Sequence, residues 1–98
     1  MTIEKNINGA LAELKIIGRL DTTTAPQLEA ELKELLPGLT ELKLNLAEME
    51  YISSAGLRVL LSAQKAMKKQ GEMILTNVNA TVMEVLEITG FLDILTIA

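Results

Sequence analysis

The fold is decided by one stretch of the chain, residues 42–61, which reads LKLNLAEMEYISSAGLRVLL. Leucines alternate with polar residues over 42–46, and this period of two indicates a β-strand. Residues 48–52 are interpreted as a connection to four small residues, 53–56. A helix is then predicted from about Leu57 to Gln70, because its apolar residues recur at helical spacing.

A β-hairpin is predicted at the N-terminus. Two extended runs, residues 2–7 and 10–17, flank the pair Asn8-Gly9. An Asn-Gly pair supplies the positive φ angles of a type I′ turn, so these two residues are expected to form the tip of the hairpin. Gly18 is expected to close the second strand. This hairpin would add an antiparallel edge to the sheet.

Helices and strands are predicted to alternate along the rest of the chain. The predicted elements are a helix between the cap candidates 21–24 and Pro37-Gly38, the strand over 42–46, the helix from Leu57, a short strand at 73–76, a helix from a cap at Asn79 or Thr81 to Gly90, and a last strand over 91–97. The order β-β-α-β-α-β-α-β indicates a single α/β domain over residues 1–98. Its sheet is expected to be mainly parallel, with three main helices.

The composition excludes several classes of function. The 98 residues include 9 Lys and Arg against 13 Asp and Glu, and a net charge of −4 opposes binding to nucleic acid or to an anionic membrane. The chain has no cysteine and no histidine, which removes thiolate nucleophiles, Ser-His-Asp hydrolases and the commonest metal ligand. No apolar run is long enough to span a bilayer. We therefore expect a cytoplasmic protein that is not an enzyme, needs no cofactor or metal and does not insert into the membrane.

Two loops are candidates for the functional site, because function in open α/β sheets concentrates at the carboxyl ends of the strands. One loop is residues 19–23, which includes Asp21, and the other is residues 51–56. Glu48 and Glu50 lie near the second loop, so the combined surface is expected to be acidic. Solvated carboxylates explain these residues better than a metal site, since no ligand spacing joins them.

Three interpretations of Ser53 and Ser54 follow from their position before a helix. A serine at the N-cap would stabilise the helix by about 1 kcal/mol. A phosphorylated serine would add about −1.5 to −2 charge and change the docking surface while the fold stays intact. A nucleophilic serine would lack a histidine base. Tyr51, beside them, is expected to pack under the edge of the sheet rather than to stand exposed as an interface anchor.

Residues 45–61, NLAEMEYISSAGLRVLL, strongly resemble the signature of STAS domains, the sulfate-transporter and anti-sigma-factor-antagonist family. Residues 18–21 resemble a second motif of this family, and the order of elements matches along essentially the whole chain. The resemblance implies a partner switch. In such antagonists the unphosphorylated domain binds an anti-sigma factor that is also a serine kinase, and this binding frees a sigma factor. Phosphorylation dissociates the complex, and a separate phosphatase restores the active form.

The resemblance also implies which residues form the site. By motif position the phosphorylated serine is Ser54, with Ser53 as the alternative acceptor. The chain departs from the family pattern at Ser53, where many kinase-regulated members have aspartate, and at Asn45, where an acidic residue is frequent. The implied partner-binding residues are Asp21, Thr22, Thr23, Ser53, Ser54, Ala55, Gly56 and Arg58.

Two functions stay open on the sequence. The first is an anti-sigma factor antagonist that has protein partners only and loses its partner when Ser54 is phosphorylated. The alternative is a constitutive STAS binding subunit of a transporter or signalling complex, which would use the same face without a phosphate. Ser53 in place of aspartate keeps the alternative open. A monomer is assumed in both cases.

Overall fold

Three helices cover one face of a five-stranded sheet in the computed structural model, which describes all 98 residues. The strands are β1 (Thr2–Asn8), β2 (Leu11–Leu20), β3 (Glu41–Asn45), β4 (Met49–Ile52) and β5 (Glu72–Thr76). The helices are α1 (Ala25–Leu35), α2 (Ser54–Lys68) and α3 (Ala80–Thr89), followed by a single 3₁₀ turn at Phe91–Asp93. The predicted α/β class, with a mainly parallel sheet and an N-terminal antiparallel hairpin, is confirmed.

The long strand β2 organises the sheet. On one side β1 pairs with it antiparallel, from Thr2 opposite Ile17 to Asn8 opposite Leu11. On the other side β3 lies parallel to the first half of β2, and β4 lies parallel to its end. The register shifts after Gly18, whose φ of +99° suits glycine at a β-bulge. β5 completes the sheet beside β3, also parallel.

Alternation along the strands separates a buried face of the sheet from an open one. Two rows of buried side chains cross the sheet: Ala12, Leu42 and Met73 form one row, and Leu14, Leu44 and Leu75 form the next. The residues between them on the strands, such as Lys43 and Glu13, are exposed or half-buried. All three helices therefore lie on the buried face, and the core of 23 buried residues is entirely apolar. None of the helices is long and apolar enough to cross a bilayer.

The helices begin and end close to their predicted limits. α2 begins at Ser54, three residues before the predicted Leu57, because the first turn includes the small residues of the loop. Of the two predicted caps for α3, the structure uses Asn79, whose side-chain oxygen accepts a hydrogen bond from the backbone N–H of Val82 at 3.0 Å. Gly90 ends α3 in the left-handed conformation, as its position in the sequence predicts.

The hairpin is present, but its tip lies one residue later than predicted. Asn8 pairs with Leu11 as the last residue of β1, so the two-residue loop is Gly9-Ala10. Only Gly9 has a positive φ, +62°, whereas a type I′ turn requires positive φ at both central residues. Positive φ at the first position alone is a feature of type II′ turns, in which glycine leads.

Two other elements differ from the prediction. The connection at 48–52 contains β4, whose two exposed central residues lie between buried Met49 and Ile52, so the strand lacks the period of two. The last predicted strand, 91–97, is wrong over most of its length. The backbone N–H groups of Ile94 and Leu95 both donate to the carbonyl of Phe91 and close a tight turn, so only Ile97 forms a bridge to β5.

Candidate functional site

The two candidate loops meet at one end of the sheet because β2 and β4 are neighbours. Arg19 pairs with Tyr51, and Leu20 pairs with Ile52. The backbone N–H of Ser53 donates to the carbonyl of Leu20 at 2.9 Å and extends this pairing into the loop. The loop after β2 therefore lies directly beside the start of α2. We call the surface formed by residues 19–23 and 51–58 the switch edge.

The loop after β2 is held in place by the side chain of Asp21. Its Oδ1 accepts hydrogen bonds from the backbone N–H groups of Thr23 at 3.0 Å and Thr24 at 3.2 Å, and from the Thr23 hydroxyl at 2.7 Å. Thr24 Oγ1 in turn accepts from the Asp21 N–H at 2.8 Å and donates to the Arg19 carbonyl. The hydroxyl of Thr23, followed by the backbone N–H groups of Thr23 and Thr24, lowers the pKa of Asp21. The switch edge thus carries a fixed negative charge.

Arg19 and Tyr51 form a stacked pair beside Asp21. The Arg19 guanidinium lies 4.3 Å from the centre of the Tyr51 ring, a cation–π geometry, and its Nε is 3.6 Å from Asp21 Oδ2. The prediction that Tyr51 packs under the sheet edge is wrong, since its side chain lies exposed beneath Arg19. This pair has no signal in the sequence, because it depends on β4 lying beside β2.

The two serines occupy different environments. Ser53 stands at the N-cap of α2, and its carbonyl accepts the first helical hydrogen bond from Leu57 at 2.9 Å. Its hydroxyl oxygen is buried and has no hydrogen-bond partner, so the predicted side-chain cap is not made. Ser54 is the first residue of the helix and is exposed. Ser54 is therefore accessible from solvent, whereas the Ser53 hydroxyl oxygen is not.

Gly56 lets the first turn of α2 lie against the ends of β2 and β4. A Cβ atom at this position would lie 2.7 Å from Cγ of Leu20 and 3.0 Å from Cγ1 of Ile52, and both of these side chains are buried. Only glycine fits the existing spacing without displacing them. The residue acts through close packing and not through an unusual φ.

A groove of about 390 Å³ separates the first turns of α1 and α2. Thr22, Ala55 and Arg58 line it together with residues from the facing side of α1. Arg58 is exposed and takes part in no ion pair, in contrast to Arg19. Glu48, which the sequence places near the site, instead forms an ion pair with Lys15.

The eight residues that the sequence predicts for partner binding lie close together in the fold, although Gly56 among them is buried. They come from the loop after β2 and from the beginning of α2, which the hydrogen bond between Ser53 and Leu20 joins. No group of three or more Asp and Glu side chains is placed to hold a metal ion. The site offers an exposed hydroxyl, a fixed carboxylate, two guanidinium groups and an aromatic ring, which are the components of a protein-docking surface.

Comparison with known proteins identifies the family and the fold of this chain. The sequence matches the STAS domain family over residues 2–98, and the chain therefore belongs to that family. It is similar to a protein of Bordetella bronchiseptica named "Putative anti-sigma factor antagonist BtrV", with 41% identity over the whole of this chain and 84% of that protein. It is also 32% identical to the anti-sigma-B factor antagonist of Bacillus subtilis, over 88% of this chain and 80% of that protein.

The structure is similar to that of the Bacillus anti-sigma factor antagonist SpoIIAA. SpoIIAA has been solved in an unphosphorylated and a phosphorylated form, each with a TM-score of 0.77 to this chain. Identity is 16% and 18%, and the match covers 99% of this chain and 87% and 91% of the two SpoIIAA chains. At this identity the match concerns the fold alone.

Proposed function

We propose that this protein is the antagonist in a partner switch. Its unphosphorylated form binds an anti-sigma factor that is also a serine kinase, and this binding releases a sigma factor. Phosphorylation of Ser54 ends the binding, and a phosphatase reverses the modification. The protein itself catalyses no step and acts in the cytoplasm, where a sigma factor joins RNA polymerase. Its relatives BtrV and the antagonist of Bacillus subtilis support the assignment by their names.

Ser54 is proposed as the phosphate acceptor because the two serines differ in burial. Its exposed position at the beginning of α2 leaves the hydroxyl open to a kinase, whereas the Ser53 oxygen is buried. A phosphate on Ser54 would project from the switch edge and leave the core beneath it unchanged. Regulation by phosphate requires such a position, because the modified protein must stay folded in order to be dephosphorylated.

The charge of the switch edge supports the proposed effect of the phosphate. Asp21 is ionised and held by its hydrogen bonds in the loop that adjoins Ser54. A phosphate would add about −1.5 to −2 charge next to this carboxylate. A partner surface that is complementary to one negatively charged group, the carboxylate, would then meet two such groups. A penalty of about 2–5 kcal/mol for such a mismatch in a desolvated interface is sufficient to break the complex.

Affinity capture with four variants tests the proposal. The baits are the wild type, Ser54→Ala, Ser54→Asp and the matched control Ser53→Ala, and the captured proteins are identified by mass spectrometry. Wild type, Ser54→Ala and Ser53→Ala are expected to retain an anti-sigma factor of the kinase type, and Ser54→Asp is expected to lose it. With ATP, the captured kinase should phosphorylate wild type and Ser53→Ala but not Ser54→Ala.

The same experiment separates the alternative function. If all four baits retain the same partner in equal amount, and ATP modifies none of them, then the protein is a constitutive binding subunit and Ser54 is not a switch. If modification falls on Ser53, the acceptor has been assigned to the wrong serine.

A further inference from the structure

Arg58 lies one helical turn after Ser54 on α2. Residues four apart in an α-helix share a face, with their Cβ atoms about 5–6 Å from each other. Helical side chains tilt towards the N-terminus, so a long side chain at position 58 covers the turn that begins with Ser54. Both residues are exposed.

Arg58 is also the guanidinium of the switch edge that has no carboxylate partner. The chain contains two arginines, and Arg19 is held between Asp21 and Tyr51. Arg58 forms no ion pair, although Glu29 lines the same groove from α1. A guanidinium presents its donors in a planar fork that matches two oxygens of a phosphate group. The group that Arg58 is suited to bind is therefore absent from the unmodified chain.

We propose that Arg58 binds the phosphate group carried by Ser54 in the modified protein, through two charge-assisted hydrogen bonds from its guanidinium to phosphate oxygens. This inference rests on the proposed phosphorylation of Ser54 and adds the residue that receives the phosphate. The contact lies within one helix, so it forms without rearrangement of the sheet.

Because of this contact, phosphorylation changes the sign of the charge at the first turns of α2 and does not only add negative charge. Before modification, the first turns of α2 present the free cation of Arg58 to a partner. After modification, the guanidinium is occupied by the phosphate, and the same surface carries about one net negative charge. An acidic group of the partner that meets Arg58 loses its counterion at the moment when the phosphate arrives.

Phosphorus NMR tests the contact directly. Phosphoserine is incorporated at position 54 through an expanded genetic code, so no kinase is needed, and the phosphate signal is titrated between about pH 4 and 8. Because a neighbouring guanidinium favours the dianion, the second phosphate pKa is expected to lie about half a unit or more below its ordinary value of about 6. Arg58→Gln should return it to about 6, and Arg58→Lys should give an intermediate value, since an ammonium group lacks the planar fork.

The other arginine is the matched control. Arg19→Gln removes an equal charge from the same edge, but Arg19 is held by Asp21 and Tyr51, so the titration should stay at the wild-type value. An Arg58→Gln protein that melts like the wild type and also titrates like it would overturn the proposal. An effect of Arg19→Gln equal to that of Arg58→Gln would do the same.

The two proposals fail separately. The phosphoserine is incorporated during translation in this experiment, so the titration concerns only the contact between Arg58 and the phosphate. If the capture experiment gives the expected result but Arg58→Gln does not change the phosphate pKa, the Arg58 contact is rejected and the partner switch stays intact. A shifted titration with no kinase partner rejects the partner switch and leaves the contact intact.

Discussion

Neighbouring residues of the switch edge have different roles because each occupies a different backbone position. Ser53 ends an extended segment and turns its hydroxyl inwards, whereas Ser54 begins a helix and faces solvent. In the loop after β2, the side chain of Asp21 caps the backbone before α1. Its carboxylate binds the backbone at the approach to α1, where Thr24 stands at the N-cap without a side-chain capping bond of its own.

The hydrogen bonds of Asp21 predict a pH-dependent stability. An aspartate whose pKa is lower in the folded than in the unfolded chain stabilises the fold above its unfolded pKa, and this contribution is lost as the pH falls through the folded pKa. The ordinary value is 3.8, and the hydrogen bonds from Thr23 lower it. The wild type should therefore melt at a higher temperature than Asp21→Asn at pH 7, and the difference should shrink as the pH falls below about 4.

The chain offers a matched control in its second aspartate. Asp93 is exposed in the 3₁₀ turn, and its side chain makes no hydrogen bond or ion pair. The difference in melting temperature between Asp93→Asn and the wild type should show no comparable change with pH, because this variant keeps Asp21. A constant difference between wild type and Asp21→Asn from pH 7 to pH 2 would contradict the role assigned to this carboxylate.

At the scale of elements, one side chain attaches α3 to the rest of the fold. Asn79 caps the helix with its oxygen, and its Nδ2 donates to the carbonyls of Leu46 at 3.2 Å and Met49 at 2.8 Å. These carbonyls belong to the turn between β3 and β4. The same residue thus begins a helix and holds the turn that directs β4 towards the end of β2.

Two substitutions of Asn79 distinguish the effect of the helix cap from that of the hydrogen bonds to the turn. Asn79→Ala should lower the free energy of unfolding by about 2–3 kcal/mol, because it removes the cap and both bonds to the turn. Asn79→Asp keeps an oxygen for the cap but loses the donor, so a smaller loss of about 1 kcal/mol is expected. Urea denaturation of the two variants and the wild type measures both values. Equal stability of Asn79→Asp and the wild type would show that the turn does not depend on this donor.

At the scale of the whole molecule, the sheet is covered on one face only. The helices bury one face, and the other carries charged side chains such as Lys43 together with half-buried apolar ones such as Ile74. Lys43 and Leu44 are consecutive residues of β3 that belong to opposite faces, so they provide a direct test of the two-layer arrangement.

Alanine substitutions at these two positions should differ widely in effect. Leu44 is fully buried, and Leu44→Ala should lower the free energy of unfolding by about 2–5 kcal/mol. Lys43 is exposed, and Lys43→Ala should change it by no more than about 0.5 kcal/mol. Chemical denaturation is the measurement. A large loss in Lys43→Ala would mean that the open face is covered in solution, for example by a partner or a second copy of the chain.

Elements with a strong local signal were predicted from the sequence. The leucine alternation of β3, the apolar spacing of the helices and the position of Gly90 each depend on residues close together in the chain. β4 was not predicted, since its pairing depends on β2, about thirty residues away. The strand predicted at 91–97 was wrong, because a 3₁₀ turn forms at Phe91–Asp93. The hairpin tip moved by one residue because Asn8 pairs within the strand.

By itself, the sequence determined the α/β class, the acidic charge, the lack of histidine and cysteine, and the motif that places Ser54 before a helix. These properties depend on composition and short-range spacing. Only the tertiary structure decided that Ser53 is turned inwards, that Arg19 stacks on Tyr51 and that Arg58 is left without a partner. The physical reason is that burial and ion pairing depend on which strands become neighbours, and here the end of β4 lies beside the end of β2.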